Sequence, residues 1–269
     1  MMRTLYCTAL FALTTVAQAA PSCPLAHWDD YGGTQLFRNA GQGAYVFATT
    51  HAQVDADGAP NAYHPDDVGL NCKTGTGFKG LDCPANGGYP NGDWWPSAIV
   101  PDPKNKKKGY VQPDGEFKGF FVSQTSLRDG ARSDLDPAKY VNAAAVPYLV
   151  FPGAFHQKAG TGTLGDLGYA VNLDNGKTSA FIVAEVGPSD AKLGEMSIAL
   201  AQALGGQNPN PRTGAGKPDG KIAYVVFPKS RANPAWPLTN QQIGDRVQGL
   251  LKQLPGGMET LKACGADAK

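Results

Sequence analysis

The apolar residues of this chain fall mostly into short runs bounded by glycine, proline, asparagine or aspartate. Runs of this length that are rich in β-branched and aromatic residues predict buried strands. The Asn175-Gly176 pair between two of the runs is a strong hairpin signal. The six predicted strands are Ala44–Thr49, Phe117–Gln124, Val146–Phe151, Leu167–Leu173, Ser179–Val186 and Ile222–Phe227.

Helical spacing of apolar residues is clear in only two places. One is Gln241–Leu254, and the other predicts a helix that begins near Glu195. Because helices do not alternate with strands, a doubly wound parallel sheet is not predicted. The expected fold is mainly β: a single domain over residues 21–269, built as a six-stranded barrel-like structure of which the double-psi type is one form, with a few helices and long stapled loops.

The first twenty residues have the pattern of a secretory signal peptide. A single positive charge at Arg3 precedes an apolar run, and small residues follow, so cleavage is expected after Ala19 or Ala20. No later run is apolar and long enough to be a membrane span. The sequence therefore predicts a secreted protein, extracellular or periplasmic, that makes no membrane contact.

Charge limits the classes of partner. Loss of Arg3 with the signal peptide leaves 23 of the 24 basic residues, against 23 acidic residues, so the mature chain is formally neutral. This balance argues against a nucleic acid or an anionic membrane recognised through bulk charge. We expect a monomer that requires no cofactor.

Four cysteines remain after signal cleavage, and in an exported chain they predict two disulfides with three possible pairings. The expected pairing joins Cys72 to Cys83 across a local loop and Cys23 to Cys264 across nearly the whole chain. The chain has no C-x-x-C motif, and its four histidines are scattered, so no zinc site is predicted. Nucleophile elbow and phosphate-loop motifs are also absent.

The region from residue 51 to residue 116 is unusually long between predicted strands, which suggests a functional or stapled loop. Its Asp55-Ala56-Asp57-Gly58 run lacks two anionic ligands of an EF-hand calcium loop, so no metal is predicted. The run is compatible with a simple Asx turn. Alternatively, Asp55 and Asp57 line a substrate cleft beside Tyr63 and His64. Trp94 and Trp95 fit either a sugar-stacking surface or cover for the core.

Two glutamates lie on either side of the loop that follows the fifth predicted strand. Glu185 is at the end of an apolar strand, and Glu195 is predicted in the first turn of the next helix. A turn-forming Gly187-Pro188 pair separates them, so both carboxyl groups can reach one rim of the fold. Such a pair suits acid–base catalysis. Glu195 is equally compatible with a role outside catalysis, because the helix dipole favours a glutamate in the first turn of a helix.

Several short motifs occur in an order that resembles the glycoside hydrolase family 75 chitosanases. The resemblance is best over residues 141–230 and weaker over 44–60, where Asp55-Ala56-Asp57-Gly58 matches a D-x-D-G segment. The other matching motifs are Val146-Pro147-Tyr148-Leu149-Val150-Phe151-Pro152, Leu164-Gly165-Asp166-Leu167, Asn175-Gly176-Lys177, Ala184-Glu185 and Leu193-Gly194-Glu195-Met196-Ser197.

The resemblance implies an inverting endo-hydrolase that cleaves β-1,4-linked glucosamine polymers, that is chitosan, with two carboxyl groups. The glutamate of the family's Gly-Glu pair matches Glu195. The aspartate that the family usually has at the end of the strand is replaced here by Glu185. We expect Glu185, flanked by apolar residues, to be the acid, and Glu195 to be the base, although these roles can be exchanged. A polycationic substrate also implies acidic cleft residues, for which Asp55, Asp57 and Asp166 are the candidates.

Two alternatives remain open at the level of sequence. The same pair of carboxyl groups could hydrolyse another amino-sugar polymer, such as peptidoglycan. The chain could instead be a carbohydrate-binding or inhibitory protein on the same fold, inactive or weakly active because Glu185 carries one more methylene than aspartate. The preferred degree of acetylation and the product lengths are not encoded in any motif found here.

Overall fold

The computed structural model describes residues 22–38 and 43–268, so the predicted signal peptide lies outside the described residues. A nine-stranded mixed sheet dominates it, in the order β1-β2-β3-β11-β8-β9-β7-β10-β4. A separate hairpin is formed by β5 and β6. The strands are β1 His27–Tyr31, β2 Thr34–Phe37, β3 Tyr45–Thr49, β4 Gln53–Asp55, β5 Pro101–Asp102, β6 Asn105–Gly109, β7 Tyr148–Pro152, β8 Leu167–Asn172, β9 Thr178–Gly187, β10 Glu195–Ser197 and β11 Ile222–Phe227.

Helices are few and mostly short. They are α1 Gly153–His156, α2 Ile198–Ala203, α3 Asn240–Leu251 and α4 Gly257–Asp267, with single 3-10 turns at Pro65–Asp67, Trp95–Ser97 and Pro137–Lys139. A capping box of Thr239 and Gln242 begins α3. The helix α3 packs on β8 and β9, while α4 packs on β3 and β11. None of the helices in the described ranges is long and apolar enough to cross a membrane.

Five of the six predicted strands are confirmed within a few residues, and the hairpin at Asn175-Gly176 joins β8 to β9 as expected. The sixth, Phe117–Gln124, is wrong. Its first part is a turn in which Gly119 has a φ of +94°, and only isolated bridges at Phe121 and Ser123 remain extended. Glycine adopts this left-handed conformation at little cost, and the conformation interrupts a strand.

The mainly β class with few helices is confirmed. The six-stranded barrel is not: β1 and β4 are the two ends of the main sheet, and no strand pairing in the described ranges closes it. Most neighbours are antiparallel, but β7 pairs with β9 in parallel, and β4 pairs with β10 in parallel. The predicted absence of regular strand–helix alternation agrees with this topology.

Both expected disulfides are present. Cys23 is bonded to Cys264 over a sequence separation of 241, and Cys72 is bonded to Cys83 over a separation of 11. The first joins the segment before β1 to α4, which covers the sheet. The second closes a loop within the long region between β4 and β5. Two disulfides are consistent with a protein of an oxidising compartment.

Candidate active site

A cleft of about 770 Å³ opens where β4, β9 and β10 meet the long loop before β5. Its volume is in the range of small-molecule and oligosaccharide sites. Five carboxyl groups line it, together with aromatic, small and basic side chains. The acidic residues are Asp55, Asp57, Asp82, Glu185 and Glu195.

The strand register places the two glutamates on either side of Val150. Glu185 of β9 pairs with Val150 of β7, and Met196 of β10 pairs with Leu149 on the other side of β7. Continuing the antiparallel register by one residue brings Glu195 beside Val150. Since neighbouring strands are about 4.8 Å apart, the two Cα atoms are separated by about 10 Å. Both glutamates and Val150 line the cleft.

Glu185 is held by donors on both of its carboxyl oxygens. The Ser126 amide donates to Oε2 at 2.8 Å, the Val186 amide donates to Oε1 at 2.7 Å, and the Ser126 hydroxyl also contacts Oε1. These bonds favour the anion, but burial disfavours it more. Together with the charge of Asp55, burial raises the pKa of Glu185 to about 8.

Glu195 is the first residue of β10, and the prediction that it starts a helix is wrong. The helix α2 begins at Ile198, and the Ser197 hydroxyl caps it by accepting a bond from the Leu200 amide at 3.1 Å. The reason is that residues 195–197 pair with β4 and β7 instead of coiling. A helix dipole therefore does not favour the Glu195 anion. Burial, Asp55 and Glu185 raise its pKa to about 8.

Asp55 and Asp57 both point into the cleft and are each held by a tyrosine. The Tyr148 hydroxyl donates to Asp55 Oδ2 at 2.8 Å, and the Tyr63 hydroxyl donates to Asp57 Oδ1 at 2.8 Å. The Asp57 amide also donates to Asp55 Oδ1 at 2.9 Å, which is an Asx turn. Burial raises the pKa of both carboxyl groups, and for Asp57 the neighbouring charges of Asp55 and Glu185 raise it further.

Asp82 is an acidic cleft residue that the sequence did not single out. Its Oδ1 accepts bonds from the Cys83 amide at 2.6 Å and from Asn86 Nδ2 at 2.7 Å. Burial raises its pKa to about 6. The Cys72–Cys83 disulfide therefore fixes the loop that carries this carboxyl group. Asp82 directly precedes a cysteine of the disulfide-closed loop, and this position was the sequence feature that could have pointed to it.

Two predicted site residues are not brought to the cleft. The Asp166 carboxylate is fully buried and accepts backbone bonds from Thr163 at 2.7 Å and from Arg231 at 3.0 Å, so it stabilises a loop. His64 is buried, and its Nδ1 accepts a bond from the Asp66 amide at the start of a 3-10 turn. Trp94 lines the cleft and is 48% exposed, whereas Trp95 is buried.

Four of the five carboxyl groups of the cleft, all except that of Glu195, accept hydrogen bonds from tyrosine hydroxyls or amide groups within the described residues. Across residues 22–38 and 43–268, no group of three or more histidine, cysteine, aspartate or glutamate side chains has a geometry that could hold a metal ion. Lys217 and Arg212, which also line the cleft, donate to the backbone carbonyls of Ala52 and Cys72. The carboxyl groups of the cleft can transfer protons and can bind positive charge.

Gly194 sets the position of Glu195, and its replacement by alanine is expected to impair the site. Gly194 has a φ of +113°, and a Cβ there would come within 2.1 Å of the His51 carbonyl oxygen. Gly194→Ala must therefore move β10 or the His51 loop, with an expected loss of stability of about 1–3 kcal/mol. Urea unfolding measures this loss. As a control, Gly176→Ala has open space around its Cβ and should cost less, because only the backbone conformation is strained.

Comparison with known proteins does not assign the chain to a family. No family model matches it, and no curated protein matches it.

Proposed function

We propose that the protein is a secreted endo-acting glycoside hydrolase that cleaves β-1,4-linked glucosamine polymer with inversion of configuration. The observation that carries the proposal is the pair of Glu185 and Glu195 on opposite sides of Val150, each with a pKa raised to about 8. Inverting glycosidases need two carboxyl groups separated by about 6.5–9.5 Å, one to protonate the leaving oxygen and one to activate water.

Electrostatic repulsion between these two carboxyl groups supports the acid and base roles. Two carboxyl groups that repel each other lose their protons in two separate steps, so a range of pH exists in which one is ionised and the other is protonated. That singly protonated state is the one that inverting hydrolysis requires. An ammonium-bearing substrate favours the first ionisation, because it brings positive charge into an acidic cleft.

The acidity of the cleft supports a polycationic substrate. None of its five carboxyl groups is in an ion pair within the described ranges. A chitosan chain would supply the missing cations through its amino groups. The exposed face of Trp94 beside them suits stacking on the apolar face of a sugar ring.

We assign Glu185 as the acid and Glu195 as the base. Glu185 is buried and fixed by Ser126 and Val186, which suits a group that must meet the leaving oxygen in one orientation. Glu195 is half-buried, has no bond to a fixed donor in the described residues, and so can hold a water. The absence of fixed donors to Glu195 among the described residues, and not a helix dipole, supports its role as base.

The likeness to family 75 adds to the proposal. The chain shares the order of six short motifs with that family. Glu185 in place of the usual aspartate is a departure that the position of Ser126 accommodates, since its amide and hydroxyl both reach the longer side chain.

The test is release of reducing ends from chitosan, from chitin and from peptidoglycan, with the anomer of the first product followed by NMR. The proposal expects release from chitosan with the inverted, α-configured product first. High salt should raise KM, because it screens the acidic cleft from the polycation. Release of reducing ends from peptidoglycan alone would make peptidoglycan, and not chitosan, the substrate. Retention of the protein on insoluble polymer, without release from any of the three polymers, would favour a binding protein.

A further inference from the structure

Basic residues line the cleft together with the acidic ones. His51 and Lys217 are among them, and Lys192 belongs to the loop between β9 and β10, of which Pro188 lines the cleft. We call His51, Lys192 and Lys217 the basic cluster. The catalytic pair of the proposed function does not use it.

Backbone packing brings the three members of the basic cluster together. Gly194, two residues after Lys192, lies so close to the His51 carbonyl that a Cβ would come within 2.1 Å of it. Lys217 Nζ donates to the carbonyl of Ala52, the residue after His51, at 2.9 Å. Burial lowers the pKa of His51, and the charges of Lys192 and Lys217 lower it further.

The basic cluster has no counter-charge of its own. Neither lysine is in an ion pair in the described parts of the chain, and both side chains are exposed. Lys217 keeps two of its three N–H donors after bonding Ala52. Two like charges held near one ring repel each other, and a bound anion would relieve that repulsion.

We propose that the basic cluster binds an acidic substituent of the polymer, so that the preferred substrate is an amino-sugar chain that also carries carboxylate groups. This inference rests on the proposed function. The carboxyl groups of the cleft bind the amino sugar next to the scissile bond, and the basic cluster binds a carboxylate of the same polymer.

Two soluble chitosans of similar substituent size separate charge from bulk. O-Carboxymethyl chitosan carries an acidic group, and glycol chitosan carries a neutral hydroxyethyl group at the same oxygens. The wild-type protein is expected to show a KM for the carboxymethyl polymer about two- to fivefold lower than for the glycol polymer, the range of one exposed ion pair. Added salt should remove the difference.

Lys192→Gln tests the assignment to residues. Lys192 is exposed and its side chain makes no hydrogen bond or ion pair with the described residues, so the variant should fold normally and cleave glycol chitosan like the wild type. Its KM for carboxymethyl chitosan should rise by about two- to fivefold. Lys106→Gln, which removes an exposed lysine from the β5–β6 hairpin, is the matched control and should change neither constant.

Equal KM values for the two polymers, or an equal effect of Lys192→Gln on both, would overturn the inference. The proposed function would remain intact as long as chitosan is hydrolysed. If no polymer is cleaved, the proposed function fails instead. Affinity electrophoresis in gels that contain either polymer then still tests the basic cluster, because retardation by the carboxymethyl polymer needs no hydrolysis. Retardation that Lys192→Gln does not reduce would also contradict the inference.

Discussion

Replacing either Glu185 or Glu195 with glutamine is expected to lower kcat on chitosan by about two to four orders of magnitude, the usual contribution of a positioned acid or base. The two variants should differ in stability. Glu195→Gln removes a carboxyl group whose ionisation is disfavoured by burial, by Asp55 and by Glu185, so it should raise Tm near neutral pH. Glu185→Gln places an amide group against the donors of Ser126 and Val186, so it should not.

A substrate with a good leaving group distinguishes the acid from the base. A nitrophenyl glycoside of a glucosamine oligomer needs little protonation as it departs, so loss of the acid costs less on this substrate than on chitosan. We expect Glu185→Gln to recover much of its activity on the nitrophenyl substrate, and Glu195→Gln to stay inactive. If Glu195→Gln recovers its activity and Glu185→Gln does not, Glu195 is the acid and Glu185 is the base. If either variant has near-wild-type activity on chitosan, that residue is not catalytic.

Stability is expected to fall as the pH rises from about 5 to about 8. The pKa values of Glu185 and Glu195 are raised to about 8 in the folded protein, and that of Asp82 is raised to about 6. Between the unfolded and folded pKa values the folded state binds more protons than the unfolded state, so raising the pH favours unfolding. Each such carboxyl group contributes a slope of up to about 1.4 kcal/mol per pH unit.

Urea unfolding at a series of pH values measures this slope. Glu195→Gln is the control, because it removes one titrating group and should flatten the curve. Exposed carboxylates whose pKa is lowered, such as Asp29 beside Lys158 and Asp136 beside Arg132, act in the opposite direction below pH 5 but are weak at the surface. A free energy of unfolding that is constant or rises between pH 5 and pH 8 would contradict the raised pKa values of these buried carboxyl groups.

Local patterns predicted the parts of the fold that local chemistry determines. The apolar runs around Phe181 and Val225, the hairpin at Asn175-Gly176 and the local disulfide of Cys72 are all encoded by neighbouring residues. Short strands such as β4 and β10 were missed because their residues become extended only through pairing with each other. For the same reason, the helical spacing after Glu195 predicted a longer helix than α2.

Glu185, Glu195, Asp55 and Asp57 were predicted as site residues because turns and strand ends mark them, and all four line the cleft. Asp166 was placed wrongly because a buried carboxylate that caps backbone amides looks, in sequence, like any loop acid. The contacts made by Tyr148 join segments 93 residues apart, which no local pattern shows.

The Cys23–Cys264 bond also constrains the order in which the protein matures. Cys23 is synthesised 241 positions before its partner, and the thiols of Cys72 and Cys83 follow it much sooner. Closing the short loop between those two is entropically easier, and once they are joined they no longer compete for Cys23. Formation of the Cys72–Cys83 bond therefore removes two thiols that could mispair with Cys23. The Cys23–Cys264 bond can form only after α4 has been synthesised.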